Sequence, residues 1–335
     1  HNRRGLQAYQ RMIADSRREQ ASIRDSITRL NRQARYPLAG SGGNAAVEAV
    51  GLLGRTAGRL AAASSGDGDF DDPPTVPRPL TRAEKIRILE QNAAAGDVEA
   101  HLLLEQMHRE GHGVPRDPAR ALQHLEKAAA LGHLPSQRLA AMRLYTGTDA
   151  PEDATRAARW FEAAALQGDA ESQYAIGVLH ALGEGVPQDD ARAVAWYRKA
   201  AAAGSRGGQH AMGIRHLDGK GVPQDDAEAM AWFRRAAEQG YAPAQYNLGS
   251  MYRDGRGAPK GDESRTIAAG LYLQAARQGL AEAQYMLGLM HTTGVGVPRD
   301  LRQAEHWWAK AAEQGDAESA QLLEGLRRHV RQNGY

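Results

Sequence analysis

Glycine recurs along most of this chain at a nearly constant interval, and that period limits what the chain can fold into. Gly96, Gly132, Gly168, Gly204, Gly240, Gly279 and Gly315 are separated by 36, 36, 36, 36, 39 and 36 residues. Other positions keep step with them. Seventeen residues before the closing glycine stand Pro115, Pro151, Pro187, Pro223 and Pro298, while the fifth unit displaces its proline to Pro259. Eleven before it stands alanine in every unit: Ala121, Ala157, Ala193, Ala229, Ala268 and Ala304. Eight before it stand Trp160, Trp196, Trp232 and Trp307, with His124 and Leu271 in the other two units. A fixed period of this length marks a repeat array, in which each supersecondary unit buries its apolar face only against its neighbours.

Each unit reads as two helices. Unit five opens with residues 241–252, whose apolar side chains fall at helical spacing. Gly255 and Gly257 end that helix, and Pro259 follows shortly, a residue that opens a helix better than it continues one. In unit three the connection runs from Gly183 to Pro187, and Asp189 or Asp190 is the expected N-cap of the second helix. That helix carries Ala193, Trp196, Tyr197, Ala200 and Ala201; the alanines allow close approach, and the tryptophan is expected to fill the space between layers.

The segments AEAQYMLGLMHTTGVGVP and AEAMAWFRRAAEQG resemble Sel1-like repeats, longer-looped relatives of tetratricopeptide repeats. The resemblance spans about residues 82–330 and holds in order through all six units. It implies an all-α, right-handed superhelical solenoid of about six helix-turn-helix repeats, at 97–132, 133–168, 169–204, 205–240, 241–279 and 280–315. Two units depart from the pattern. Unit two lacks the second loop glycine, its loop running Gly147-Thr148-Asp149-Ala150-Pro151. Unit four places Gly207 and Gly208 early in its first helix, which should weaken it locally. Residues 82–95 read as the second helix of a degenerate preceding unit. Residues 316–332 read as a capping helix with a polar outer face at Arg327, Arg328 and Arg331.

The expected organisation is a basic helical leader over 1–63, a Pro/Asp/Gly linker over 64–80, and the array over 81–335. Charge divides along the same line. Residues 1–81 hold 12 Arg against 8 acidic side chains, and the remainder 30 basic against 32 acidic, too balanced for a nucleic-acid binder. Within the leader, residues 4–35 read as a helix bearing Leu6, Met12, Ile13, Ile23, Ile27 and Leu30. It reads either as a tether to anionic lipid or nucleic acid, or as an arm laid into the groove of the array. A start at His1 fits a tag remnant or the loss of an upstream signal peptide or lipid anchor; membrane association is expected only through such a segment. No run of eighteen uncharged apolar residues is present. The absence of cysteine suits the periplasm, the expected location, and also the cytoplasm.

There is no Gly-Lys-Ser/Thr phosphate loop, no His-Glu-x-x-His and no Gly-x-Ser-x-Gly, and the Gly-x-Gly pairs are helix punctuation. His108, His180, His216 and His291 occupy one position in four units, with Tyr252 in a fifth. Equivalent residues of stacked helices lie roughly 10 Å apart, too far to share an ion that needs ligands about 2 Å away. The column therefore reads as amphipathic packing, and no metal or cofactor is expected. Paired carboxylates such as Asp189-Asp190 and Asp225-Asp226 read as helix caps.

The expected role is to bind another protein. Counted from the closing glycine, positions 4, 8 and 11 of each first helix form the core stripe: Ser172, Ile176 and Leu179, or Ala244, Leu248 and Met251. Positions 6, 10 and 13 lie nearly opposite and are unexpectedly apolar. They supply the candidate partner-binding residues Tyr174, Val178, His210, Ile214, Leu217, Tyr246, Arg253, Tyr285 and Leu289. These either pack between first helices or line a concave face, as the tetratricopeptide resemblance implies. Unit five adds Arg256, Lys260 and Arg265 around what reads as an enlarged loop over 258–266, suited to an acidic surface. The resemblance implies an adaptor in signalling, secretion or envelope assembly, or a periplasmic immunity protein that neutralises a secreted lipase or phospholipase effector.

Overall fold

The computed structural model describes residues 80–148 and 151–333, all of them helix or connecting turn. The leader and nearly all of the expected linker lie outside the described residues. In order the helices are α1 (Arg82–Ala94), α2 (Val98–Glu110), α3 (Pro118–Ala130), α4 (Leu134–Thr146), α5 (Ala154–Leu166), α6 (Ala170–Leu182) and α7 (Asp190–Ala202). There follow α8 (Arg206–Asp218), α9 (Asp226–Glu238), α10 (Ala242–Asp254), α11 (Asp262–Arg277), α12 (Ala281–Thr293), α13 (Leu301–Glu313) and α14 (Ala317–Asn333). First helices of the six units are α2, α4, α6, α8, α10 and α12; second helices are α3, α5, α7, α9, α11 and α13. Each predicted unit thus holds one helix pair. The chain divides into two compact units, His1–Ala164 and Ala165–Tyr335.

Local chemistry sets the helix ends. Asp117, Asp189, Asp225 and Asp300 cap second helices by accepting the backbone N–H groups of Arg120, Arg192, Glu228 and Gln303 at 2.9–3.1 Å. Of the pair left open by the sequence, Asp189 is the cap. First helices stop on Gly111, Gly147, Gly183, Gly219, Gly255 and Gly294, all left-handed with φ between 67° and 78°. The second glycine of the Gly-x-Gly is left-handed too, and at several of these positions a close approach adds to that need. A Cβ at Gly221 or Gly257 would stand 2.7 or 2.8 Å from the carbonyl oxygen of Asp190 or Asp226, at the start of the preceding second helix. The loop of unit two closes in the same way without that glycine, Asp153 N–H donating to Leu144 O at 2.8 Å.

The core follows the period. The alanine eleven before each closing glycine is fully buried in all six units, and the stripe at positions 4, 8 and 11 is buried in units three and five. Trp307 is buried as expected, at 6% exposure, but Trp196 and Trp232 require a correction. The layer is filled by the neighbouring residue, seven before the closing glycine: Leu125, Phe161, Tyr197, Phe233, Tyr272 and Trp308, each at most 3% exposed. Trp196 and Trp232 are instead only half-buried, each under the cation one turn on, Lys199 at 4.1 Å and Arg235 at 4.4 Å. The inward aromatic needs room, and position 9 of the first helix provides it. A Cβ at Gly177, Gly213, Gly249 or Gly288 would meet the ring of Tyr197, Phe233, Tyr272 or Trp308 at 2.2–3.1 Å.

α8 runs through Gly207 and Gly208, and both are close-approach positions: a Cβ on Gly208 would stand 2.6 Å from that of Ala200. One further expectation changes. The three extra residues of unit five lengthen the helix and not the loop. α11 has 16 residues where the other second helices have 13, and the connection between the helices, 255–261, is as long as in the other units.

Candidate functional site

Successive helices are linked by side chains that lie outside the core stripe. Position 5 of the first helix is glutamine in five units. Gln137, Gln173, Gln209, Gln245 and Gln284 donate to the carbonyls of Ala129, Ala165, Ala201, Ala237 and Ala276 at 3.0–3.5 Å. Each adds a second donor to a carbonyl in the last turn of the preceding second helix, which already accepts from the N–H of the closing glycine. The residue before the closing glycine completes the link: Gln239, Gln278 and Gln314 donate to the side-chain oxygens of Gln209, Gln245 and Gln284 at 2.7–2.8 Å. The second carboxylate of each Asp pair also bridges repeats, since Asp190 accepts from Arg215 and Asp226 accepts twice from Arg256.

On this frame the positions 6, 10 and 13 divide into two groups. In α6, Tyr174 and Val178 are buried, and Tyr174 lies against Tyr197 with ring centroids 6.0 Å apart. Packing therefore accounts for these two. From α8 to α12 the same positions are half-exposed: His210, Ile214, Leu217, Tyr246, Arg253, Tyr285 and Leu289. Their aromatic members rest on the buried layer. His210 packs on Phe233 at 5.5 Å and edge-on to Tyr241 at 5.3 Å, and Tyr246 packs on Tyr272 at 5.5 Å. Tyr285 is anchored through its backbone, whose carbonyl accepts from the Trp308 indole at 3.2 Å. Enclosed by those rings and bonded to Asn247 at 2.9 Å, His210 has its pKa pushed by burial down to about 4. Burial likewise pushes Tyr272 up to about 12, and Tyr285 is raised by burial with Glu318 beside it. Both phenols stay neutral.

The basic cluster of unit five is already matched by carboxylates. Arg253 makes two bonds to Asp254 at 2.7 and 2.9 Å, and a hydrogen bond from its guanidinium holds the Asp254 carboxyl below its usual range. Arg256 grips Asp226, and Arg265 pairs with Asp262 at 2.9 Å. Lys260 is exposed. With Glu263 beside Asp226, Asp254 and Asp262, the four basic side chains leave no net positive charge there to draw an acidic partner.

The histidine column serves packing. His180 and His291 turn Nδ1 towards the carbonyls of Pro187 and Pro298, at 3.4 and 3.3 Å, and so hold the loops against their helices. Tyr252 at the same position accepts from Arg234 at 3.2 Å. Among the described residues no three metal-ligating side chains converge.

Unit one differs from the rest. His101 replaces the position 5 glutamine, Glu105 the position 9 glycine and His124 the tryptophan. The result is a buried polar centre. His101 and His124 approach Nδ1 to Nδ1 at 3.1 Å, His108 stacks on His124 at 5.7 Å, and Glu105 accepts from Arg109 and Arg143 at 3.0 and 2.9 Å.

Comparison with known proteins agrees with the repeat. A family model described as Sel1 repeat matches residues 99–133, 135–169, 170–205, 207–241, 242–280 and 281–316. Among solved structures, a Sel1 repeat protein from Oxalobacter formigenes is 30% identical with a TM-score of 0.63, over 92% of this chain and 88% of that one. A protective antigen of uropathogenic Escherichia coli is 33% identical with a TM-score of 0.62, over 71% of this chain. This chain spans 50% of that antigen's length. No curated protein matches the chain at a significant level.

Proposed function

The chain belongs to the Sel1 repeat family, and from that premise we propose that it is a protein-binding scaffold with no catalysis of its own. Sel1 repeats mediate protein–protein interaction, so the partner is another protein. The observation that carries the choice of face is the half-exposed row Ile214, Leu217, Tyr246, Tyr285 and Leu289, resting on fully buried aromatics. Side chains held from beneath lose little freedom on binding, and tyrosine contributes large contact area. Arg253 stands at the rim with its charge already matched by Asp254.

Tyr246→Ala tests the face. Its loss should weaken binding by about 2 kcal/mol, as truncated interface aromatics do. Because part of the ring packs on Tyr272, a stability loss smaller than the roughly 3–5 kcal/mol of a wholly buried aromatic accompanies it. Proximity labelling in the native host supplies the partner, and titration of the two purified proteins supplies the affinity. Unchanged affinity with lowered stability would remove the face from consideration.

The narrower role, a periplasmic immunity protein against a secreted lipase or phospholipase, is part of the same proposal and rests on the family resemblance alone. Survival of effector-exposed cells that carry the chain in the periplasm tests it. Killing despite correct export would leave the adaptor role.

A further inference from the structure

We propose that the first repeat is an acid-sensitive joint, in which protonation of the His101–His124 pair loosens α2 from α3. The pair stands where every other unit is inert. In five units position 5 is a glutamine, which does not titrate, and its partner position is tryptophan in four and leucine in one. In unit one the two imidazoles meet Nδ1 to Nδ1 at 3.1 Å. Between two neutral rings such a contact holds one hydrogen, so one Nδ1 donates and the other accepts with its lone pair. A further proton on the accepting ring sets N–H against N–H, and the contact then repels.

The surroundings give the added charge little help. His101 is 5% exposed and His108 6% exposed. From α3, Lys127 opposes charge on both rings of the pair and Arg120 opposes it on His124. From α2, His108 lies parallel to His124, and its own buried Nδ1 has no hydrogen-bond partner. Asp97, at the start of α2, favours a charged His101, while Glu105 is held by Arg109 and by Arg143 of α4. Burial, then the neighbouring cations, lower His101 and bring His124 down to about 4. Both shifts are downward, so the unfolded chain takes up protons first. The stabilisation is complete above the ordinary value of 6.5 and is lost as pH falls from there towards about 4.

Hydrogen–deuterium exchange on the full chain, corrected for intrinsic rates, tests the joint. Between about pH 7.5 and pH 5, local opening of residues 98–130 should rise by up to about 30-fold, the ratio that a lowering from 6.5 to about 4 implies for His124. Residues 281–313 serve as the internal control; α8 does not, because His210 is also displaced. His101→Gln combined with His124→Trp installs the side chains of the other units and should abolish the acid response of 98–130. Should the double variant fold poorly, His101→Gln alone, with the histidine ring signals followed by NMR through the same pH range, gives the same reading. Protection in 98–130 that ignores pH, a response that survives removal of the pair, or ring titrations near 6.5 would each overturn the proposal.

Discussion

Single side chains decide how well one repeat follows another, and the least conspicuous ones matter most. The glutamine link between units is complete where the residue before the closing glycine is also glutamine. Unit three has Ala203 there, and Gln173 Oε1 is buried with no hydrogen-bond partner. Ala203 shares the backbone geometry of Gln239, φ −79° and ψ 6° against −80° and 8°. Ala203→Gln should therefore supply the absent donor and raise stability by about 0.5–1.5 kcal/mol, read by urea unfolding. Gly213→Ala should act the other way. Helix propensity alone favours alanine by about 1 kcal/mol. A Cβ at Gly213, however, would stand 2.6 Å from the Phe233 ring, and overpacking typically costs about 1–3 kcal/mol. A lowered unfolding midpoint is expected, and a raised one would show that the ring has room to move. Neither effect was legible as a mechanism. Gln245 and Gly249 stand in plain view within residues 241–252, but a polar residue next to the core stripe and a mid-helix glycine acquire meaning only from what the neighbouring helix presents to them.

Helices were the readable scale, because their limits rest on local chemistry. Left-handed glycines recur every period and end the first helices, and an Asp cap opens every second helix but α11, which follows Pro259. The face of each helix was less readable. The residue at the closing glycine minus seven varies among leucine, phenylalanine, tyrosine and tryptophan, whereas minus eight is tryptophan in four units of six and stands out in the sequence, though Trp196 and Trp232 are only half-buried. Positions 6, 10 and 13 are largely apolar in the sequence, yet burial in α6 and partial exposure in α10 arise from packing that no single helix encodes. The extra turn of α11 makes a similar point. Asp262, Glu263 and Ser264 precede Arg265, whose carbonyl stands against Gly296 as those of Asp190 and Asp226 stand against Gly221 and Gly257. Counted from the closing glycine, the inter-repeat contacts of unit five thus begin at Arg265. Excising 262–264 should leave the helical signal and the unfolding midpoint almost unchanged. A large loss on thermal unfolding would mean that the bond from Ser264 to Pro259 O secures the loop.

A chain held together by one contact set used repeatedly should tolerate the loss of a whole period far better than the loss of part of one. Within Ala165–Tyr335 the consequences of removing 205–240 can be followed bond by bond. Gly204 would then precede Tyr241, in the place of Gly240. Gln245 would meet the carbonyl of Ala201 where it now meets Ala237, and Arg256 would meet Asp190 in place of Asp226. Gly257 would approach Asp190 as Gly221 does now. Each lost partner has an equivalent already present, so stability falls by one unit and one interface while the remaining units keep their neighbours. Removing α9 alone, residues 226–240, offers no such replacement. Gly213 would lose the ring of Phe233, Gln245 its acceptor and Arg256 its carboxylate, and the stripe of Ala244, Leu248 and Met251 would lose the layer it packs on. Circular dichroism should show the whole-period deletion with unchanged ellipticity per residue and a modestly lower melting temperature. The single-helix deletion should lose helix beyond the residues removed and melt far earlier. Equal damage from the two deletions would mean that the units of this array are not interchangeable, and that interactions particular to unit four, such as His210 against Tyr241, hold its neighbours in place.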